Sequence, residues 1–219
     1  MAPQFRITAA STAKRPRILA VDQGAVFCLQ ENLEADVLLG DLDSLPEEAL
    51  ERTKVWERCE RLRYPERKDA TDGELALRFL TAKGVSSALI LAGFAAERPD
   101  HVLMNIQLVQ DSRKRGMRIL LTDGERLLIP LLGAENYHFV FPYEAFGRLV
   151  VSVKAMGEGL QGLTYKGLSY PLKAACLPAH SSLGLSNYPA AYDAASPQTA
   201  DFEIQTSGGE GLLIFSPQD

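Results

Sequence analysis

Residues 36–44 read Asp36-Val37-Leu38-Leu39-Gly40-Asp41-Leu42-Asp43-Ser44. Three consecutive aliphatic residues leave no polar alternation for a wet face, so the run suits a strand buried between two helical layers. The glycine and carboxylates behind it mark the strand's carboxyl end. The same pattern recurs along the first part of the chain. Asp22 follows the β-type run Arg17 to Val21, Asp69 and Asp72 follow Arg61 to Tyr64, and Asp123 follows Met117 to Leu121. Phe5 to Ala9 and Ala88 to Ala92 are further strand candidates, the latter leading into the polar stretch Gly93 to His101. Strands alternating with helical patterns argue for an α/β layer with a mostly parallel sheet. In an open parallel sheet all carboxyl ends lie on one edge, where ligands bind, so these sequence-distant carboxylates are expected to converge.

Two helices are signalled between the strands. Thr71-Asp72-Gly73-Glu74 has capping-box spacing: Thr71 accepts from the Glu74 N–H, and Glu74 can return the bond. Leu75, Ala76, Phe79 and Leu80 then form an apolar stripe, and Gly84 is placed to end the helix. Val102, Ile106 and Val109 repeat the pattern after His101, with Asp100 expected as N-cap and Arg113, Lys114 and Arg115 in the last turn. The span from Ala10 to Pro16 is too short for a full helix.

From about Ala134 the character changes. Gly, Pro, Ser and aromatic residues punctuate runs such as Tyr137 to Phe141, Arg148 to Val153 and Gly211 to Phe215. These predict a second, all-β domain of short antiparallel strands. With a boundary between Leu128 and Asn136, the expected domains are residues 1–130 and 134–219.

The 219 residues are 46% hydrophobic and 23% charged, an ordinary globular composition. A net charge of −5 gives no global reason to bind nucleic acid or an anionic membrane. Cys28, Cys59 and Cys176 are odd in number and lack C-x-x-C spacing, which fits buried or incidental thiols in a reducing compartment, the cytosol by default. The longest apolar stretches are too short to span a bilayer.

Carboxylates held close together repel, and the usual remedy is a hard divalent cation with oxygen ligands; Mg²⁺ with a polyphosphate fits Asp41-Leu42-Asp43-Ser44 beside Asp69-Ala70-Thr71-Asp72. Asp123-Gly124 reads instead as a turn. Arg98 beside such a site would take bidentate bonds to phosphate oxygens. His101, His138 and His180 lack metal-ligand spacing, so a histidine zinc site is not expected. No G-x-x-x-x-G-K-[ST] or G-x-S-x-G is present, and the G-x-G-x-x-G of Gly157 to Gly162 lies in the β-rich part without a helix behind it.

The order G-D-L-D-S (Gly40 to Ser44), Y-P-E-R-K-D-A-T-D-G-E-L-A (Tyr64 to Ala76), G-F-A-A-E-R-P-D-H with Asn105 behind it (Gly93 to Asn105), G-L-S-Y-P-L (Gly167 to Leu172) and G-L-S-N (Gly184 to Asn187) resembles the thiamine pyrophosphokinase family over nearly the whole chain. The resemblance implies a Rossmann-like N-terminal α/β domain, a C-terminal all-β sandwich, and a homodimer with active sites at the subunit interface. It also implies a cytoplasmic transferase of thiamine diphosphate biosynthesis. In that reaction the hydroxyl of thiamine attacks the β-phosphorus of ATP, with Mg²⁺, giving thiamine diphosphate and AMP.

Carried across by position, Asp41, Asp43, Asp69 and Asp72 would hold the metal. Asp22, Gly24, Ser44, Lys68, Thr71, Arg98, Asp100, His101 and Asn105 would bind nucleotide. Asp43, Asp72 and Arg98 would act in catalysis, with Asp72 or Asp43 taking the hydroxyl proton. Gly167, Tyr170, Ser186 and Asn187 would form the thiamine pocket, Tyr170 offering a π-face to a cationic ring. Where the family usually has D-G-G-A-N this chain has Asp22-Gln23-Gly24-Ala25-Val26, and Ala96 and Glu97 stand where it favours a Gly pair. A Gln23 held at positive φ would be strained. Pyrophosphoryl transfer to another hydroxymethylated heterocycle such as a pterin, and non-catalytic binding of thiamine or nucleotide, are the alternatives.

Overall fold

A computed structural model describes residues 15–43, 45–65, 69–91, 94, 98–142, 149–190 and 199–217. They divide into two compact units, one ending at Val85 and the other beginning at Ser86.

The first unit alternates β1 (Leu19–Val21), α1 (Gly24–Gln30), β2 (Val37–Gly40), α2 (Glu47–Thr53), β3 (Glu60–Arg63) and α3 (Asp72–Ala82). Its three strands are all parallel, in the order β1-β2-β3. The aliphatic run Val37-Leu38-Leu39 forms the central strand and is fully buried, whereas the charged β3 lies at the edge and is mostly exposed. Leu38 packs with Ala20, Ala25, Cys28, Leu42, Leu45 and Trp56. Each fully buried leucine-sized side chain contributes about 1.5–3 kcal/mol. α3 starts as its sequence dictates, with the Thr71 hydroxyl accepting from the Glu74 N–H at 3.2 Å. Glu74 meanwhile pairs one turn on with Arg78, an i,i+4 ion pair.

The second unit comprises β4 (Ser87–Leu91), α4 (Pro99–Lys114), β5 (Arg118–Thr122), β6 (Leu127–Pro142), β7 (Leu149–Lys166), β8 (Ala175–Leu177) and β9 (Thr199–Pro217). They form one mixed sheet of order β4-β5-β6-β9-β7-β8, in which β4 and β5 are parallel and the remaining pairs antiparallel. Gln110 of α4 is buried and donates to the Gly211 carbonyl of β9 at 2.7 Å, fixing the helix to the sheet. On the sheet's apolar face Phe139, Phe141, Phe202 and Phe215 pack ring against ring.

This half departs from the sequence reading. The strands are long, 16, 18 and 19 residues for β6, β7 and β9, rather than short. They share a sheet with β4 and β5, and residues 130–134 lie inside β6. The glycines that suggested turns instead mark register shifts within continuous strands, at Leu132/Ala134 in β6 and Met156/Leu160 in β7. The G-x-G-x-x-G is part of this device. Gly162 sits at φ +65, and a Cβ there would overlap the Ser207 side chain of β9. Asp123 does form a turn, its Oδ1 accepting from the N–H groups of Glu125 and Arg126 at 3.0 and 2.7 Å. Among the described residues no helix is long and apolar enough to cross a membrane. The proposed strand at Phe5 to Ala9 lies outside the described residues.

Candidate functional site

In the first unit the parallel sheet brings three carboxylates together. Asp22 follows β1, Asp41 follows β2, and Asp72 opens α3 behind β3. Asp22 is partly buried, and its carboxyl is pushed up to about 6. Burial is the largest cause, followed by the charge of Asp72, a hydrogen bond shared with Asp72, and the charge of Asp41; the Leu42 N–H opposes the shift. Asp22 Oδ1 is buried with no donor bonded to it. The Asp72 carboxyl beside it becomes a donor only when the pair holds a proton.

The backbone is bent to make this arrangement. Asp22 has φ 43 and Leu42 φ 63, left-handed values that cost a non-glycine residue about 1–2 kcal/mol. Gly40, at φ 147, lies directly under Asp22, and a Cβ on it would overlap the Asp22 carboxylate. Leu42 is nevertheless buried, its packing in the core helping to offset the strain.

The other acidic residues of this edge lie on its outer turns. Asp43 is exposed, its N–H 3.4 Å from Asp41 Oδ1, and Asp69 is exposed on the bend before α3. Thr71 is engaged in capping α3. Gly24 begins α1 with open space where a Cβ would be. Gln23 has φ −57, so its replacement of a family glycine costs no backbone strain. Ser44, Lys68, Ala96 and Glu97 lie outside the described residues. Among the described residues no three His, Cys, Asp or Glu side chains form a ready metal cage. An all-oxygen set with crowded negative charge and a buried acceptor still fits Mg²⁺, which characteristically takes one or two carboxylates and completes its shell with water and substrate phosphate.

In the second unit Arg98 and Asp100 form a two-point pair, Nε to Oδ1 at 3.0 Å and Nη2 to Oδ2 at 2.8 Å. Hydrogen bonding to Arg98 holds the exposed Asp100 carboxyl down at about 2. Asp100 is not the N-cap of α4. Pro99 takes the first turn and Arg98 the cap position, because proline's fixed φ and missing N–H suit it to that place. Asp100 instead orients Arg98, using two of the five guanidinium N–H donors and leaving the others to an anion. His101 Nε2 lies 4.0 Å from Asp100 Oδ2, and Asn105 sits one turn further along α4.

The remaining sequence-derived residues cluster on two loops of the same unit. Tyr170 is 60% exposed and Ser186 is exposed. Asn187, by contrast, is 3% exposed and committed internally: Oδ1 accepts from the N–H groups of Tyr170 and Tyr188, and Nδ2 donates to the Tyr170 carbonyl. Gly167, at φ 72, lies so close to β9 that a Cβ would overlap the Asp201 carbonyl. Sequence reasoning missed Tyr188, whose ring meets that of Tyr170 edge-on at 5.6 Å. The only signal for it was an aromatic residue directly behind G-L-S-N. The role of Gly40 under Asp22 likewise leaves no mark in the motif that contains it.

A model of the thiamin pyrophosphokinase catalytic domain matches residues 9–121. The fold is similar to that of thiamine pyrophosphokinase from Bacillus subtilis, at 24% identity over 95% of this chain and 91% of that one, with a TM-score of 0.80. The enzyme from Geobacillus thermodenitrificans aligns at 22% identity over 94% and 89%, TM-score 0.75, and that from Candida albicans at 13% over 92% and 82%, TM-score 0.70. No curated protein sequence matches the chain. At these identities the structural likeness is one of fold.

Proposed function

The chain belongs to the thiamin pyrophosphokinase family, and from that premise we propose that it transfers the β,γ-pyrophosphoryl group of ATP to the hydroxyl of thiamine, giving thiamine diphosphate and AMP. The observation that carries this reading is the convergence of Asp22, Asp41 and Asp72 at one sheet edge, where burial first and the neighbouring Asp72 and Asp41 second push Asp22 toward its protonated form. Such an edge is incomplete without positive charge.

In this proposal Asp41, Asp43, Asp69 and Asp72 are the carboxylates from which Mg²⁺ would take its protein ligands. Bound there, Mg²⁺ would offset the carboxylates' repulsion and the negative charge of the phosphate chain. Asp22, Gly24, Ser44, Lys68, Thr71, Asp100, His101 and Asn105 serve the nucleotide. Arg98, oriented by Asp100, binds phosphate oxygens and stabilises the charge that develops on the leaving AMP. The hydroxyl oxygen of thiamine bonds to the β-phosphorus as the bond from that phosphorus to the α,β-bridging oxygen breaks. The hydroxyl proton passes to Asp43 or Asp72. Catalysis is mainly positioning and charge neutralisation, as is general for phosphoryl transfer.

Tyr170 and Ser186 face the thiamine, while Gly167 and Asn187 shape the loops that carry them. In functional terms residues 1–130 supply nucleotide and metal binding, and residues 134–219, a β-sandwich by family likeness, supply thiamine binding. A cytoplasmic homodimer with its active site at the subunit interface completes the proposal.

Incubating the protein with ATP, Mg²⁺ and thiamine and separating the products tests the reaction. AMP and thiamine diphosphate are expected in equal amounts. Formation of ADP, or of no thiamine diphosphate, overturns the reading.

A further inference from the structure

The two loops that carry Tyr170 and Tyr188 are laced together by backbone bonds and by one side chain. The Ala190 N–H donates to the Gly167 carbonyl and the Ser169 N–H to the Tyr188 carbonyl, both at 2.9 Å. The next rung is made by no backbone group. There the Asn187 carboxamide takes the place of a peptide unit, accepting from the Tyr170 N–H at 3.0 Å and donating back to the Tyr170 carbonyl at 2.7 Å. The same Oδ1 accepts from the Tyr188 N–H at 2.9 Å. Asn187's own backbone is bonded both ways to Val151 of β7, at 2.8 and 2.9 Å. One buried residue thus ties both tyrosine-bearing segments to the sheet. Preceding it, Ser186 has φ 58, and its N–H bonds the Ser152 hydroxyl at 2.9 Å.

What this node holds in place is chemically distinctive. The rings of Tyr170 and Tyr188 stand 82° apart with centroids 5.6 Å from one another, and Tyr170 remains 60% exposed. An edge-to-face pair directs the positive edge of one ring at the negative face of the other and leaves an open π-face on the exposed partner. Exposed tyrosines with free backbones rotate, and a flat ligand must then pay to order them. Here the backbone on both sides of the corner is fixed before any ligand arrives.

We propose that Asn187 is a positioning residue and Tyr188 a binding residue: the carboxamide holds Tyr170 and Tyr188 as a preformed right-angled corner that takes a flat, cationic heteroaromatic ring. The proposal rests on the reading that this part of the chain serves thiamine. Asn187 touches no substrate; all of its effect passes through the two tyrosines.

The test combines steady-state kinetics with a double-substitution cycle. Asn187→Ala, Tyr170→Ala and Tyr188→Ala should each raise the KM for thiamine about tenfold, the scale of a desolvated cation–π contact, while the KM for ATP stays as in the parent protein. Asn187→Ala should also change the near-ultraviolet circular dichroism of the tyrosines without ligand. Combined with Tyr170→Ala, it should add little to the loss caused by Tyr170→Ala alone, since both act on one element. Fully multiplicative effects would show Asn187 contacting thiamine directly and overturn its positioning role. An unchanged thiamine KM in folded Tyr188→Ala overturns the corner.

If the parent protein neither binds nor converts thiamine, the functional reading fails, and the corner is then judged with 1-methylquinolinium as probe. Binding to the parent and loss of binding in Tyr170→Ala, Tyr188→Ala and Asn187→Ala uphold it. Absence of binding to the parent overturns it.

Discussion

The acidic edge of the first unit and the tyrosine corner of the second both lie outside the strands, yet they are held in opposite ways. At the acidic edge Asp22 and Leu42 have left-handed backbones, an oxygen of Asp22 is buried without a donor, and like charges face one another. At the corner the Asn187 carboxamide uses both of its ends on backbone groups, and the rings are in contact before any ligand arrives. Strained, under-neutralised geometry persists where a partner of opposite charge is to be received. Saturated geometry suits a ligand recognised by shape. Residues that share one functional label therefore do unlike physical work.

The sharpest way to break this contrast is Asp72→Asn. It should lower turnover by about a hundredfold or more, as removing one charge-stabilising group from a phosphoryl-transfer site does, while the fold is retained. Wild-type turnover in a product assay would remove Asp72 from the machinery. Next comes Gly40→Ala. Its Cβ would overlap the Asp22 carboxylate at a glycine-favouring φ, so unfolding titrations should show a loss of about 2–3 kcal/mol. A loss no greater than that of an ordinary surface substitution would mean that Asp22 can move aside freely.

The pH dependence of metal-free stability sharpens the electrostatic half. The Asp22 carboxyl is raised from 3.8 to about 6 in the folded chain. Between those values the folded state binds more protons than the unfolded state, so this group's contribution falls as pH rises and its penalty is complete above about 6. The melting temperature of the parent relative to Asp22→Asn should therefore drop by a few degrees, roughly 2–4 °C, between pH 4 and 6.5. Carboxyls held low, such as Asp123 with its three bonds from Glu125 and Arg126, act in the reverse sense at lower pH. A flat difference curve would refute crowding at Asp22. The smallest effect is expected from Ser186→Gly, which relieves φ 58 and should stabilise by about 0.5 kcal/mol while raising the thiamine KM. Destabilisation would show that the Ser186 side chain supports the loop.

Much of the first unit was legible because its signals are local. Val37-Leu38-Leu39 is apolar without interruption, and Thr71 and Glu74 have capping spacing; both took their expected places. The carboxyl-end rule placed Asp22, Asp41 and Asp72 together without any long-range information, but it also counted Asp123 with them, and Asp123 follows β5, which belongs to the other sheet. α1 and α2 went unread because seven residues offer too few apolar positions for a helical period. The cap of α4 was misread by favouring Asp100 over the stronger signal of Pro99 at the first turn. In the second unit the information is non-local. Whether a glycine turns a chain or bends a long strand depends on its neighbours, as Gly162 and Ser207 show across 45 positions. Asn187 likewise acts on Tyr170, 17 residues away, and an asparagine in a loop gives no sign of its partner.

β9 has a consequence for how the protein reaches this structure. It pairs with β6 on one side and β7 on the other, its Phe215 opposite Leu127 and its Ser216 opposite Val150. Among the described residues β6 and β7 have no ladder with each other, so until β9 is inserted each presents a long unbonded margin. Contacts of such sequence separation form slowly, and exposed strand margins invite pairing between chains. Aggregation during refolding should thus rise steeply with protein concentration, making dilution and low temperature the conditions that favour recovery of the folded chain.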